Sequence, residues 1–101
     1  MNDFINVAVV ESGTLSYDTD LDRELEEFVD GFRYEVFLEE PELSAGKDGR
    51  PTITICSGYS HLPGVWFLEW LSKKYKLVLS CEAFSITDDE LLDKYTVEGS
   101  G

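Results

Sequence analysis

The sequence predicts an α+β domain whose elements run β-α-β-β-α-β. Three observations predict it. Short runs at 4–10, 33–38, 52–56 and 77–84 alternate or concentrate β-branched and apolar residues, two segments at 19–32 and 65–75 space their apolar residues for a helix, and one Gly/Pro-rich stretch, Pro41–Pro51, has hairpin length.

Phe4–Val10 alternates with Ile5, Val7 and Val9 on one face and Asn6 and Ala8 on the other, which gives a first strand ending near Gly13. Asp18 or Thr19 is placed to cap a helix, because a short oxygen side chain accepts a hydrogen bond from a first-turn N–H, and Asp20, Asp22 and Glu24 suit the positive end of its dipole. Leu21, Leu25, Phe28, Val29 and Phe32 then form one apolar stripe, so the helix spans 19–32. After Gly31 weakens that helix, Arg33–Leu38 alternates as a second strand, and the Pro41–Pro51 loop leads back into a third, Thr52–Cys56. Trp66, Phe67, Trp70, Leu71 and Tyr75 lie on adjacent rows of a second helix whose lysines sit at its C-terminal end, and 77–84 is a fourth strand with Leu77, Leu79 and Cys81 towards the core. In the tail, Thr87 with Glu90 has the form of a capping box that starts a short C-terminal helix, with Tyr95–Val97 as a small edge strand. The order is that of the ferredoxin-like split βαβ fold, a four-stranded antiparallel sheet with both helices on one face. Its expected core joins the two helical stripes to Ile5, Val7, Val9, Ile53, Ile55, Leu77 and Leu79.

With 101 residues, 43% of them hydrophobic, residues 1–101 make a single domain with enough apolar surface to fold. The charge is lopsided: 21 Asp and Glu against 8 Lys and Arg give −13, and all but −2 of it falls at or before Asp48. A chain this acidic repels polyphosphates and anionic lipid, so direct nucleic-acid or membrane binding is excluded and the expected partner is cationic or neutral. No apolar run reaches the length of a membrane span and Met1–Phe4 lacks a basic leader, which predicts a soluble cytoplasmic protein.

From Ser60 to Phe84 a polar turn with Pro63 precedes a Trp-centred helix ending Trp70-Leu71-Ser72-Lys73-Lys74-Tyr75, and an apolar strand follows, ending Cys81-Glu82-Ala83. This quarter of the chain resembles the YubB-type ferredoxin-like domains encoded on plasmids, phages and other mobile elements. The first helix departs from that family in its acidity, and Thr87-Asp88-Asp89-Glu90 replaces cationic or glycine-bearing positions. The resemblance implies the fold and a mobile-element origin, and it transfers no catalytic residue.

Little in the sequence points to chemistry. Cys56 and Cys81 belong to strands three and four, which the expected strand order holds about 9–10 Å apart, too far for a disulfide, so two reduced thiols are expected. With His61 as the single histidine they form no zinc spacing, and a turn histidine beside Cys56 or Ser60 lacks the third group that would hold it as a base. Asp18, Asp20 and Asp22 are spaced like the start of a calcium loop, but Arg23 stands where glycine is required and Val29 where the last glutamate belongs. No cofactor, metal site or catalytic residue is predicted.

The polar side of helix one carries Asp20, Asp22, Glu24, Glu26, Glu27 and Asp30 against Arg23 alone, and Glu35, Glu39, Glu40 and Glu42 follow. Like charges at i,i+4 cost a few tenths of a kcal/mol each, which singles these ten out as the candidate partner-binding residues. Such a surface imitates the charge track of a nucleic acid and fits a Lys/Arg groove made for one. The expected function is a non-enzymatic inhibitor, of phage or plasmid origin, of a host nucleic-acid-binding defence complex of the anti-CRISPR or anti-restriction type. The alternative is a small homodimeric regulatory module using the open sheet face, whose expected residues include Thr52, Thr54, Val78, Ser80, Ala8 and Phe37; a small enzyme is the third reading.

Overall fold

The structure is a computed structural model and describes residues 3–29, 36–46 and 48–99. Its elements are β1 (Asp3–Ser12), α1 (Leu21–Phe28), β2 (Glu42–Ala45), β3 (Pro51–Gly58), α2 (Leu62–Tyr75), β4 (Val78–Ser85) and β5 (Glu90–Glu98). The strands form one antiparallel sheet in the order β2-β3-β1-β4-β5. The α+β class stands, but the sheet has five strands rather than the four expected of a ferredoxin-like split βαβ fold.

The fifth strand takes in Tyr95–Val97, expected as a small edge strand, and extends back to Glu90, where a short helix was expected. Residues 86–89 form the turn of a β4–β5 hairpin, with Asp89 at φ +50 and the Asp88 N–H 3.4 Å from Ser85 Oγ. Pairing then runs from Ser85↔Glu90 to Val78↔Glu98, with a bulge between Ala83 and Phe84. A short helix here would have made few hydrogen bonds of its own, whereas the strand satisfies a whole row of donors and acceptors along the open edge of β4.

At the other edge, β2 forms inside the stretch read as loop, and residues 33–35 of the expected strand lie outside the described residues. Phe37 makes an isolated bridge to Ser57, and the Leu38 N–H donates to the Cys56 carbonyl at 3.1 Å. Pro41, with no N–H to give, separates this pairing from the ladder of β2 on β3, as suits an edge strand.

Helix α1 is shorter than the expected 19–32; of the missing part, 30–32 lies outside the described residues. Its cap is Asp20, whose Oδ1 accepts the Arg23 N–H at 3.1 Å, not Asp18 or Thr19. Leu21, Leu25 and Val29 are buried as the stripe predicts. Helix α2 begins earlier than expected, with Pro63 in its first turn where a missing N–H costs nothing. It buries Phe67, Leu68 and Leu71 and packs the half-buried Trp70 against the core as expected, while Trp66 is 43% exposed, so the expected Trp66 core position is corrected.

The face of β1 is also corrected. Asn6, Ala8 and Val10 lie under the helices, in register with Ile55, Ile53 and Leu79, while Ile5, Val7 and Val9 look out of the open face. Both faces of this strand are apolar, so alternation alone does not say which is inside. The small side chains are inside because the start of α2 presses onto the central strand, with Gly64 against Asn6. Ala8, expected on the open face, is therefore buried in the core, and so is Phe37, whose ring meets Phe67 of α2.

Candidate functional site

The acidic side of α1 is not an unpaired stripe. Lys74, from the last turn of α2, places its Nζ 2.7 Å from Glu24 Oε2 and 3.0 Å from Glu27 Oε2, and the Tyr75 hydroxyl donates to Glu24 Oε1 at 2.8 Å. The same ammonium lies 5.0 Å from the centre of the Trp70 ring. These hydrogen bonds to Glu24 and Glu27 hold the Lys74 pKa above its ordinary value, and burial, then the bond to Glu24, raises that of Tyr75. Glu24, only 12% exposed, therefore ties α1 to α2 rather than waiting for a partner.

The other candidate residues are dispersed. Asp20 caps α1, Asp22 is half-buried, Glu26 is exposed beside the pair network, and Asp30 and Glu35 lie outside the described residues. Glu39 and Glu40 are exposed on the stretch before β2. Glu42 pairs with Thr54 while its neighbour Leu43 packs on the core, so by strand alternation Glu42 projects from the open sheet face, opposite the helices. The structure thus splits the ten residues between the helix layer and the open face, and the single continuous acidic face expected from the sequence is not formed by the described ones.

The open face has its own pattern, which the ladders give row by row. Cys56, Ile5, Phe84 and Leu91 form an apolar row across β3-β1-β4-β5; the next row is Glu42, Thr54, Val7, Glu82 and Lys94; the next is Ser44, Thr52, Val9, Ser80 and Thr96. Over the lower rows lies a cleft of about 670 Å³, floored by Val7 and Val9 and edged by Glu11, Asp48 and Glu82. Its wall is fixed, because Arg50 of the β2–β3 loop reaches both Glu11 oxygens at 2.7 and 2.8 Å and the Tyr17 hydroxyl bonds the Gly49 carbonyl at 2.8 Å.

Among the described residues, Cys56, Cys81 and His61 are not brought together. Cys56 shares the face of Ile5 and Cys81 that of Ala8, so the two free thiols, both buried, lie on opposite faces of the sheet. His61 is half-buried before α2, and its contribution there is a carbonyl that accepts from Asn6 Nδ2 at 2.8 Å. Among the described residues no group of three His, Cys, Asp or Glu is placed to hold a metal ion, and no helix is long and apolar enough to cross a membrane.

One buried polar cluster escaped the sequence reading. Asn6 is fully buried; besides bonding the His61 carbonyl, its Oδ1 accepts the Tyr95 hydroxyl at 2.6 Å. Beside this hydroxyl, burial pushes the Cys81 thiol up to about 12, and burial with the neighbouring Cys81 raises Tyr95. Both groups are neutral in the fold, so their stabilisation is complete below their ordinary values of 9.0 and 10.0 and is lost as pH rises towards the folded values. Urea midpoints should therefore hold to about pH 9 and fall steadily above it, less steeply in Cys81→Ser. A midpoint unchanged up to pH 11 would contradict this.

No protein-family model matches the chain, and neither a curated protein nor a solved structure matches it.

Proposed function

We propose that the chain is a non-enzymatic acidic interaction protein that binds a basic, nucleic-acid-handling protein, in the manner of a mobile-element inhibitor of a host defence complex. The observation that supports this reading is the formal charge of −13 together with exposed carboxylates at Glu26, Glu39, Glu40 and Glu42, for which no ion pair is seen among the described residues. A surface field of this sign accelerates encounter with a Lys/Arg groove and is screened within about 8 Å at 0.15 M salt.

The Lys74 network decides how to test it. Reversing Glu24 would break the bridge between α1 and α2, so loss of binding by that variant would be ambiguous. The informative variant is Glu26→Lys with Glu39→Lys and Glu40→Lys. The wild type should capture basic nucleic-acid-binding proteins from a bacterial lysate at low salt, release them on a salt gradient, and displace a labelled oligonucleotide from the purified partner. The triple variant should lose at least tenfold in that displacement. Undiminished displacement by the variant, or partners with no nucleic-acid-binding surface, would refute the proposal.

A further inference from the structure

We propose a second contact surface: the apolar corner where β3 and β4 end and β5 begins docks a protein segment that carries apolar side chains flanked by lysine or arginine. The starts of β1 and α2 meet the ends of β3 and β4 there, since Asp3 pairs with Gly58, Phe4 with Ser85, and the Ile86 N–H donates to the Asp3 carbonyl at 2.9 Å. The row Ile5, Phe84 and Leu91, with Cys56 buried at its β3 end, runs into this corner and continues over its rim. Ile86, Leu91 and Leu92 are 47%, 48% and 40% exposed, which is unusual for three large aliphatic side chains on one hairpin.

Tyr59 supplies an independent observation. It follows β3 at φ +68, within a γ-turn closed by the Ser60 N–H on the Gly58 carbonyl at 2.7 Å, and it is 89% exposed. A bulky residue at positive φ is strained, and here the strain is not offset by burying the ring. Glycine would sit there at no steric cost, so packing does not explain the tyrosine. An exposed aromatic on a turn of constrained backbone, beside an apolar row, has the form of an interface anchor.

Charge selects the occupant. Asp3 and Glu39 lie near enough to Cys56 to add to the effect of burial on its thiol, and Asp88, Asp89 and Glu90 crown the hairpin. No Lys or Arg lies among the described residues of this corner; along β5 the first cation is Lys94, three residues beyond Leu91 and beside Glu82. A second copy would set these carboxylates against themselves, and an anionic lipid surface would be repelled. A cationic, apolar segment satisfies both features. This surface shares Glu39 with the exposed carboxylates of the proposed function, but its apolar anchors Tyr59, Ile86 and Leu91 are not part of that reading, so loss of the apolar preference would fail this proposal alone.

The test is amide-shift mapping on the full chain with a synthetic peptide alternating leucine and lysine, and with oligolysine of equal charge as control. The Leu/Lys peptide should shift amides at 56–60 and 84–92 and not those of α1, and it should bind at least tenfold tighter than oligolysine. Tyr59→Gly should weaken it about tenfold without lowering the thermal midpoint, and Leu91→Ser should weaken it similarly. Equal binding of oligolysine, shifts confined to α1, or no binding would overturn the proposal, and the second of these would leave the acidic-face reading intact. So would a Tyr59→Gly variant that loses stability, which makes the tyrosine structural, or concentration-dependent self-association covering the same amides, which makes a second copy the occupant.

Discussion

Phe67→Ala is expected to lower the unfolding free energy by about 3–5 kcal/mol, enough to remove a large part of the stability of a domain this size. Phe67 is fully buried where both helices meet the sheet: its ring lies 5.5 Å from that of Phe28, 6.4 Å from Phe37 and 6.2 Å from Trp70. Those neighbours come from α1, from the chain before β2 and from the next turn of α2, so no single element can move in to fill the space. Trp70, although larger, covers Phe67 from the solvent side and is half-buried, so Trp70→Ala should cost about 1–2 kcal/mol. Urea unfolding of the two variants ranks them, and a Trp70→Ala variant as damaged as Phe67→Ala would contradict this account of the core.

That ranking shows where the sequence ran out as a guide. Helical periodicity located α2 because apolar residues lie on several of its rows, but it could not say which row meets the sheet, and the two largest side chains drew the choice outward. The same ambiguity affected β1, where Ile5, Val7 and Val9 are the more hydrophobic set yet Asn6, Ala8 and Val10 are inside. Helix packing on a central strand rewards small side chains, a tertiary condition that alternation does not record. In the tail, Thr87 and Glu90 satisfied a local helix pattern, and the unpaired edge of β4 overrode it.

The candidate site was legible in sign but not in arrangement. Composition alone gave the acidic excess, since charge counts need no coordinates. That Lys74 pairs with two of the helix acids depends on contacts spanning 50 and 47 residues, which no local pattern predicts. Glu42 left the expected face because β2 formed later in the chain than expected, which placed it on the outer side of a strand. Nothing in the sequence singles out Tyr59; its positive φ and exposure exist only in the folded chain.

Gly64→Ala should be nearly as damaging as a core truncation, for a reason that a second substitution can expose. A Cβ on Gly64 would stand 2.4 Å from Asn6 Nδ2 and 3.2 Å from its Cγ, closer than real contacts allow. The Asn6 side chain cannot swing aside, because the His61 carbonyl holds one end and the Tyr95 hydroxyl the other. Overpacking plus a lost buried hydrogen bond predicts a cost of about 2–5 kcal/mol. Asn6→Ala alone should cost about 2–4 kcal/mol, mainly by stranding the Tyr95 hydroxyl, since the His61 carbonyl also has the Gly64 and Val65 N–H groups at 3.2 and 3.3 Å. In the double variant the shortened residue 6 makes room for the new methyl group, so the combined cost should fall short of the summed single costs by at least about 1 kcal/mol. Urea unfolding of the wild type, both single variants and the double variant measures that difference directly. Additivity to within about 0.5 kcal/mol would mean that α2 is not seated on β1 through this glycine–asparagine contact.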